Sequence, residues 1–378
     1  VKHSLYLIYH GRYPSEKAAS LFAAKSAEAF ADAGSEVTLI VPRRLGRVRT
    51  DPYVYFGIRK NFRTIFVPTI DIYFAPIIGR FAHQVSYLAF TLSLVIYLLL
   101  FRRRDTWVCS NESFPLLAAT FLTSRTLYEV HDFPERSLWM YRLLFARARL
   151  ILATNEWKAN ALHERFGVPR EKIIVEPNAV DLTPYENAPE RGEARNRLGL
   201  PLDAKIAVYT GHLYAWKGVD TLAEAAKLMP EVQVYIVGGT AHDLAQYRQR
   251  YQEPNLHFVG HKSHSEMLHW QTCADVLILP NSSKEDISSR YTSPMKLYEY
   301  MASGVPIVAS NLPSVREIVN DESAIFFTSD DVVSLVSAVS KAIQEGTTTR
   351  RTHSARTSVL EHSWQNRANR ILDKITHI

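Results

Sequence analysis

Tyr291-Thr292-Ser293-Pro294-Met295-Lys296-Leu297-Tyr298-Glu299-Tyr300-Met301-Ala302-Ser303-Gly304-Val305-Pro306-Ile307-Val308-Ala309-Ser310 is the stretch on which the fold turns. Ser293 is placed to cap a helix, and Pro294 to open it where a missing N–H costs nothing. Met295, Tyr298, Met301 and Ala302 share one helical face, Gly304 stops the helix, and Ile307–Ser310 reads as a buried strand. A helix that starts after a loop at a sheet edge turns its first N–H groups and its positive end outward, a seat for a diphosphate. Glu299, about a turn and a half in, has two oxygens with which to accept from a ribose diol. An ordinary capped helix with a solvated glutamate fits the same pattern.

Outward from this stretch, apolar runs alternate with helical patterns along the whole chain, which argues for parallel sheets in an α/β architecture. Strands are expected at Ser4–Tyr9, Glu36–Val41, Thr64–Val67, Thr106–Ser110, Thr126–Val130 and Leu150–Ala153, with a helix over Ser15–Ala33. A polar segment rich in proline and charge then reads as a linker over 183–199. Beyond it a second series follows at Ile206–Thr210, Val232–Val237, Leu256–Val259, Val276–Leu279, Ile307–Ser310 and Ala324–Phe327. The expected organisation is therefore a doubly wound domain over 1–182, the linker, and a second over 200–362, a division that suits 378 residues.

Hydrophobic residues make up 47% and charged residues 22%, the balance of a globular protein rather than a disordered one. Net charge is +6, and it is uneven: residues 1–182 carry about +8 and the remainder about −2. Arg43, Arg44, Arg47 and Arg49, and then Arg102, Arg103 and Arg104, concentrate it. A solvated basic face and contact with an anionic lipid or phosphate-bearing acceptor both fit; nucleic acid is not expected, since no aromatic–basic interleaving accompanies the charge. Cys109 and Cys273 match no metal or redox spacing and read as buried thiols of a reducing compartment. Leu5–Tyr9 reads as a first strand rather than a signal peptide. Val85–Phe101 is apolar or weakly polar throughout, but at about 25 Å it falls short of the roughly 30 Å hydrocarbon core. It is expected to be a buried or membrane-surface helix rather than a spanning one.

The 291–310 stretch resembles the donor-binding motif of family 4 glycosyltransferases, enzymes of the GT-B fold that retain anomeric configuration. Glu299 matches the second of that motif's two glutamates, which the resemblance implies holds the nucleotide ribose. Tyr291 stands where the first glutamate, a contact to the donor sugar, would be. The resemblance covers nearly the whole chain. Tyr209-Thr210-Gly211-His212 with Trp216-Lys217-Gly218 is similar to the loop whose basic pair grips the donor diphosphate: Lys217 matches the lysine, and His212 stands where many members have arginine. Gly238-Gly239 resembles the turn that lets backbone approach the nucleotide, and Val259 to His261 the stretch that reads the base. His131, after the strand Thr126–Val130, resembles the histidine beside the transferred sugar. His10, Gly11, Arg12 and Lys17 resemble an acceptor-side loop. Asn155 and Pro177–Asp181 match landmarks near the hinge, and residues 363–378 a terminal helix that crosses back onto the first domain.

What the resemblance implies is a GT-B protein, two doubly wound Rossmann-like domains facing an interdomain cleft. Lys217, His131 and Glu299 are its catalytic candidates. Gly211, His212, Gly238, Gly239, Val259, His261, Tyr291, Thr292, Ser293, Pro294, Met295 and Glu299 are its donor-site candidates. The expected activity is a retaining hexosyl transfer from a UDP- or GDP-sugar to a glycan or lipid-linked acceptor in cell-surface polysaccharide assembly. No cofactor and no metal is expected: no Asp-x-Asp, zinc or Walker-type spacing occurs, so fixed cations and helix N–H groups would carry the leaving diphosphate. The expected location is cytoplasmic, or peripheral on the inner face of the cytoplasmic membrane. A non-catalytic nucleotide-sugar binder or scaffold, an epimerase, a sugar phosphorylase and a lipid-surface protein with a vestigial site remain the alternatives.

Overall fold

The computed structural model describes residues 3–15, 17–44, 48, 50–71 and 79–377. Glu16, Arg47 and Arg49, which belong to the expected acceptor loop and basic run, lie outside the described residues.

The chain divides into two compact units, Val1–Pro177 with Trp364–Ile378, and Asn178–Ser363. The first holds seven strands: β1 (Ser4–Ile8), β2 (Glu36–Pro42), β3 (Arg63–Val67), β4 (Trp107–Ser110), β5 (Thr126–Val130), β6 (Leu150–Ala153) and β7 (Ile173–Val175). They form one sheet in the order β3-β2-β1-β4-β5-β6-β7, paired in parallel throughout. The second unit holds β8 (Lys205–Thr210), β9 (Val232–Val237), β10 (Leu256–Gly260), β11 (Val276–Leu279), β12 (Ile307–Ser310) and β13 (Ile325–Phe327) in the order β10-β9-β8-β11-β12-β13, again parallel. Parallel strands need helical crossovers on both faces, so their residues are buried on both sides. In β8, Ile206 and Val208 enter one core with the Met295–Ser303 helix, while Ala207 and Tyr209 enter the other with the helices Val219–Lys227 and Val332–Glu345.

Three elements differ from expectation. β7 is a three-residue strand, too short to announce itself in the sequence. The stretch 183–199, expected as a linker from its polarity, folds into the second unit as the helices Thr183–Glu186 and Arg191–Leu198. Arg195 explains it: its buried guanidinium bonds the Cys273 and Ala204 carbonyls and pairs with Asp275 at 2.7 Å. A charge paired and fully hydrogen-bonded is one a core accepts.

The third is the apolar helix, which runs from Gly79 to Phe101. At 23 residues it is about 34 Å long, so the length argument against a membrane span does not hold. By length and composition, Ala82–Phe101 is apolar enough to cross a membrane. One face, Ser86, Phe90, Leu94 and Leu98, is buried in the first unit, and Tyr6 Oη donates to the Phe101 carbonyl at 3.0 Å. The other face leaves Leu88, Leu92, Ile96, Leu99, Leu100 and Phe101 exposed.

Candidate functional site

In an open parallel sheet, ligands bind beyond the carboxyl ends of the strands where the strand order reverses. In the second unit that point lies between β8 and β11. β8 runs out into Gly211-His212 and β11 into Pro280-Asn281-Ser282. Two glycines keep the backbones close there. A Cβ on Gly238 would stand 2.1 Å from the Gly211 oxygen, and one on Gly218 would stand 1.8 Å from the Pro280 oxygen. Gly239 packs against Leu213 and leads into Thr240, whose hydroxyl caps the helix Ala241–Arg250.

Lys217 closes a short 3-10 turn, Ala215–Lys217, just before the Val219–Lys227 helix. The side chain as a whole is half-buried, but its Nζ lies 3.7 Å from the Trp216 ring centroid, and burial pushes the ammonium down to about 7. Lys296 donates from Nζ to the Thr210 carbonyl at 2.9 Å and lies 3.7 Å from the Tyr209 ring centroid. Burial, and next the charge of Lys217, hold it well below the usual lysine range, against Glu299. His212 is held low by burial, then by Lys217 and Lys296, with His261 adding to the same effect. The fold thus brings His212, Lys217, His261 and Lys296 into one electrostatic neighbourhood.

The Met295–Ser303 helix completes it. Pro294, not Ser293, occupies the cap position, and no side chain caps the helix. The Ser293 hydroxyl is drawn elsewhere, accepting from the Asn178 N–H at 3.3 Å and lying 3.3 Å from Tyr298 Oη. Losing a side-chain cap leaves the first-turn N–H groups to another acceptor. Glu299 accepts from Gln271 Nε2 at 2.9 Å, and Gln271 Oε1 accepts from Tyr185 at 2.7 Å, so one carboxylate oxygen is fixed from behind. Tyr291 is buried at the end of a π-helical turn, Ile287–Tyr291, and Thr292 follows in extended conformation. Val259 sits where the β9–β10 register shifts, two residues before His261.

Sequence reasoning missed Lys296 as well as Asn281. Asn281 is fully buried two residues past β11, and neither its amide oxygen nor its nitrogen has a hydrogen-bond partner among the described residues. Buried amides are almost always satisfied, so an unsatisfied one at the switch point marks a place for a ligand or water. The available signal was a Pro-Asn pair behind an apolar strand.

In the first unit the order reverses between β1 and β4. His10, just past β1, is buried against Tyr87 and Phe90 and contacts Arg44. Burial, and then Arg44 and His83, push it down to about 3, so it is a neutral ring. Glu112, which the sequence did not single out, accepts from the His10 N–H at 3.2 Å and from Tyr87 Oη at 3.1 Å; burial raises its carboxyl. Gly11 lies against the Tyr9 ring, Arg12 is 3.7 Å from Asp71, and Lys17 is exposed at the start of the helix Ala18–Asp32. His131 follows β5, with Nε2 3.1 Å from Glu129 Oε1 and its ring edge-on to Phe22 at 4.7 Å. Burial alone would raise Glu129, but Arg367 and His131 outweigh it and bring it to about 2.

Among the described residues no group of three His, Cys, Asp or Glu is placed to hold a metal ion. Cys109 and Cys273 are buried thiols, both pushed up to about 12.

A family model described as glycosyl transferases group 1 matches residues 204–345, and that of glycosyltransferase family 4 matches residues 20–184. D-inositol 3-phosphate glycosyltransferase of Xylanimonas cellulosilytica is 26% identical over 209 residues, 50% of this chain and 48% of that protein. The glycosyltransferase TuaH of Bacillus subtilis, named for teichuronic acid biosynthesis, is 23% identical over 250 residues, 61% of each chain. The chain thus spans about half the length of the first relative and under two thirds of the second. The solved structure of Anabaena HepE in complex with UDP and glucose superimposes with a TM-score of 0.73 at 17% identity, covering 100% of both chains. The chain thus carries both glycosyltransferase models, family 4 over 20–184 and group 1 over 204–345, on a GT-B fold shared along its full length.

Proposed function

We propose that the chain transfers a hexose-type sugar from a UDP- or GDP-sugar to a glycan or lipid-linked acceptor, with retention and without a metal ion, in cell-surface polysaccharide assembly. One observation carries the reading: Lys296 reaches the Thr210 carbonyl at the end of β8, with Lys217 in the loop beyond and a helix that no side chain caps beside it, at the switch point of the second unit. Cations already withdrawn from water gain more from a diphosphate than solvated ones do. HepE, solved with UDP and glucose, and TuaH, named for teichuronic acid biosynthesis, support the substrate classes.

In this proposal Glu299 accepts from the ribose diol, Gly238, Gly239, Val259 and His261 line the nucleotide, and Lys217 with the Ser293 and Met295 N–H groups holds the diphosphate. The acceptor hydroxyl attacks the anomeric carbon on the face from which the diphosphate leaves. As the sugar–phosphate bond breaks and the glycosidic bond forms, a donor phosphate oxygen takes the hydroxyl proton. His131 is assigned to the transferred sugar, and His10, Gly11, Arg12 and Lys17 to the acceptor. The exposed face Leu88, Leu92, Ile96, Leu99, Leu100 and Phe101, followed by Arg102–Arg104, suits peripheral attachment to anionic lipid. That is the support for a place on the inner face of the cytoplasmic membrane.

Lys217→Ala tests the chemistry. Removing one preorganised stabiliser of a leaving anion costs about 100-fold or more in turnover; transfer at the wild-type rate by that variant sinks the mechanism.

A further inference from the structure

A departing nucleoside diphosphate gathers negative charge on two phosphates, and a single ammonium pairs poorly with both. The loop after β8 presents His212 and Lys217, and of the two Lys217 is the stronger base. His212 is stacked on Tyr214, with ring centroids 5.2 Å apart, and burial, then Lys217 and Lys296, lower its proton affinity.

Lys296 is placed differently. It leaves the first turn of the Met295–Ser303 helix, passes over the Tyr209 ring and ends at the Thr210 carbonyl, the last residue of β8. Gly211 permits this: a Cβ there would stand 3.2 Å from Nζ. Among the described residues the ammonium makes one hydrogen bond, to Thr210, and an ammonium has three donors. Lys217 repels it, from the loop that begins at the same strand end, and Glu299 one turn along the helix opposes that repulsion. Two like charges drawn partly out of water and toward one another cost the folded chain stability until an anion arrives.

We infer that Lys296 supplies the second fixed cation of the diphosphate site, the role that position would assign to His212. The inference rests on the reading of the second unit as the donor-binding unit. The helix therefore contributes its first-turn N–H groups and a side-chain ammonium to the same anion, while Lys217 reaches it from the β8 loop. Lys296 binds the phosphates; the base and ribose lie beyond its reach and depend on Glu299 and the glycine turns.

Calorimetric titration of the full chain with UDP and GDP, each paired with its nucleoside, tests this. Lys296→Met is expected to weaken diphosphate binding about 10- to 100-fold, the worth of a charge-assisted hydrogen bond, and to leave nucleoside binding within about twofold. Lys296→Gln carries the same expectation should the methionine variant fail to fold. Wild-type affinity for the diphosphate in Lys296→Met overturns the inference. So does an equal loss of diphosphate and nucleoside, which marks a lysine that merely supports the β8 loop. A wild-type chain that binds neither diphosphate overturns the donor-site reading itself, a different result from either.

Discussion

At Lys217 a cation has been drawn out of water before any ligand arrives, and the cost appears as its depressed proton affinity, about 7. Between that value and the usual lysine range the unfolded chain holds a proton that the folded chain has released. This group's contribution to stability is therefore present above the unfolded value and lost as pH falls through about 7. A bound diphosphate reverses the shift by restoring the charged form. UDP binding should accordingly take up close to one proton at pH 8.5 and weaken as pH rises from 7 to 9. Calorimetry in buffers of different ionisation enthalpy measures the uptake; binding enthalpy independent of buffer speaks against a lysine tuned for phosphate. Gly211, Lys217, Gly238 and Glu299 were legible in the sequence because each belongs to a short contiguous pattern. Lys296 was not, since a lysine on a helix reads as solvated, and its environment is set by Tyr209, Thr210 and Gly211, more than 80 positions away. Glu112 and Asn281 were hidden for the same reason: burial at a strand end is a property of the sheet, not of the neighbouring letters.

The helix Trp364–Thr376 shows how an element late in the chain is held to the first unit. Arg367, with a side chain 2% exposed, bonds the Pro177 carbonyl at 2.9 Å and pairs with Glu129, and Arg370 grips both oxygens of Glu176 at 2.6 and 2.9 Å. Removing one partner of a buried pair strands the other charge, at about 3–5 kcal/mol. Arg367→Met is therefore expected to lower the thermal midpoint by several degrees and to raise Glu129 toward the ordinary carboxylate range; an unchanged midpoint would show that the helix is held by its apolar face alone. Most elements were legible because a strand buried on both faces leaves a continuous apolar run, as in Val276–Leu279 and Ile307–Ser310. Those misread fail for stated causes. Arg191–Leu198 is polar along its length but docks through Arg195, and Gly79–Phe101 begins six residues before its apolar run. Ser293 has a capping side chain, yet Asn178 and Tyr298 compete for it.

For the molecule as a whole, two parallel sheets with glycine-bearing strand ends account for the fold, and the uneven charge with the apolar helix face accounts for the proposed attachment. Lys217, Lys296 and Glu299 sit in one unit, whereas His10, Glu112 and His131 sit in the other. The chain is expected to sediment with vesicles containing about a third anionic lipid, and less so as salt rises. Replacing Leu88, Leu92 and Leu99 together by serine should abolish sedimentation without lowering the thermal midpoint, because those side chains are exposed. Equal sedimentation by that variant would leave the arginines as the whole attachment.

On the proposed reading the switch point of the second unit is built for a nucleoside diphosphate, and a thermal-shift panel of UDP, GDP, ADP and their sugars tests this most directly. A ligand that binds only the folded chain raises the melting temperature by mass action, by roughly 2.7 kcal/mol of added stability at a hundred times its dissociation constant. UDP or GDP is predicted to raise the midpoint of the wild type and to raise that of Lys217→Ala by less. No shift with any diphosphate, or an equal shift in wild type and Lys217→Ala, contradicts the account.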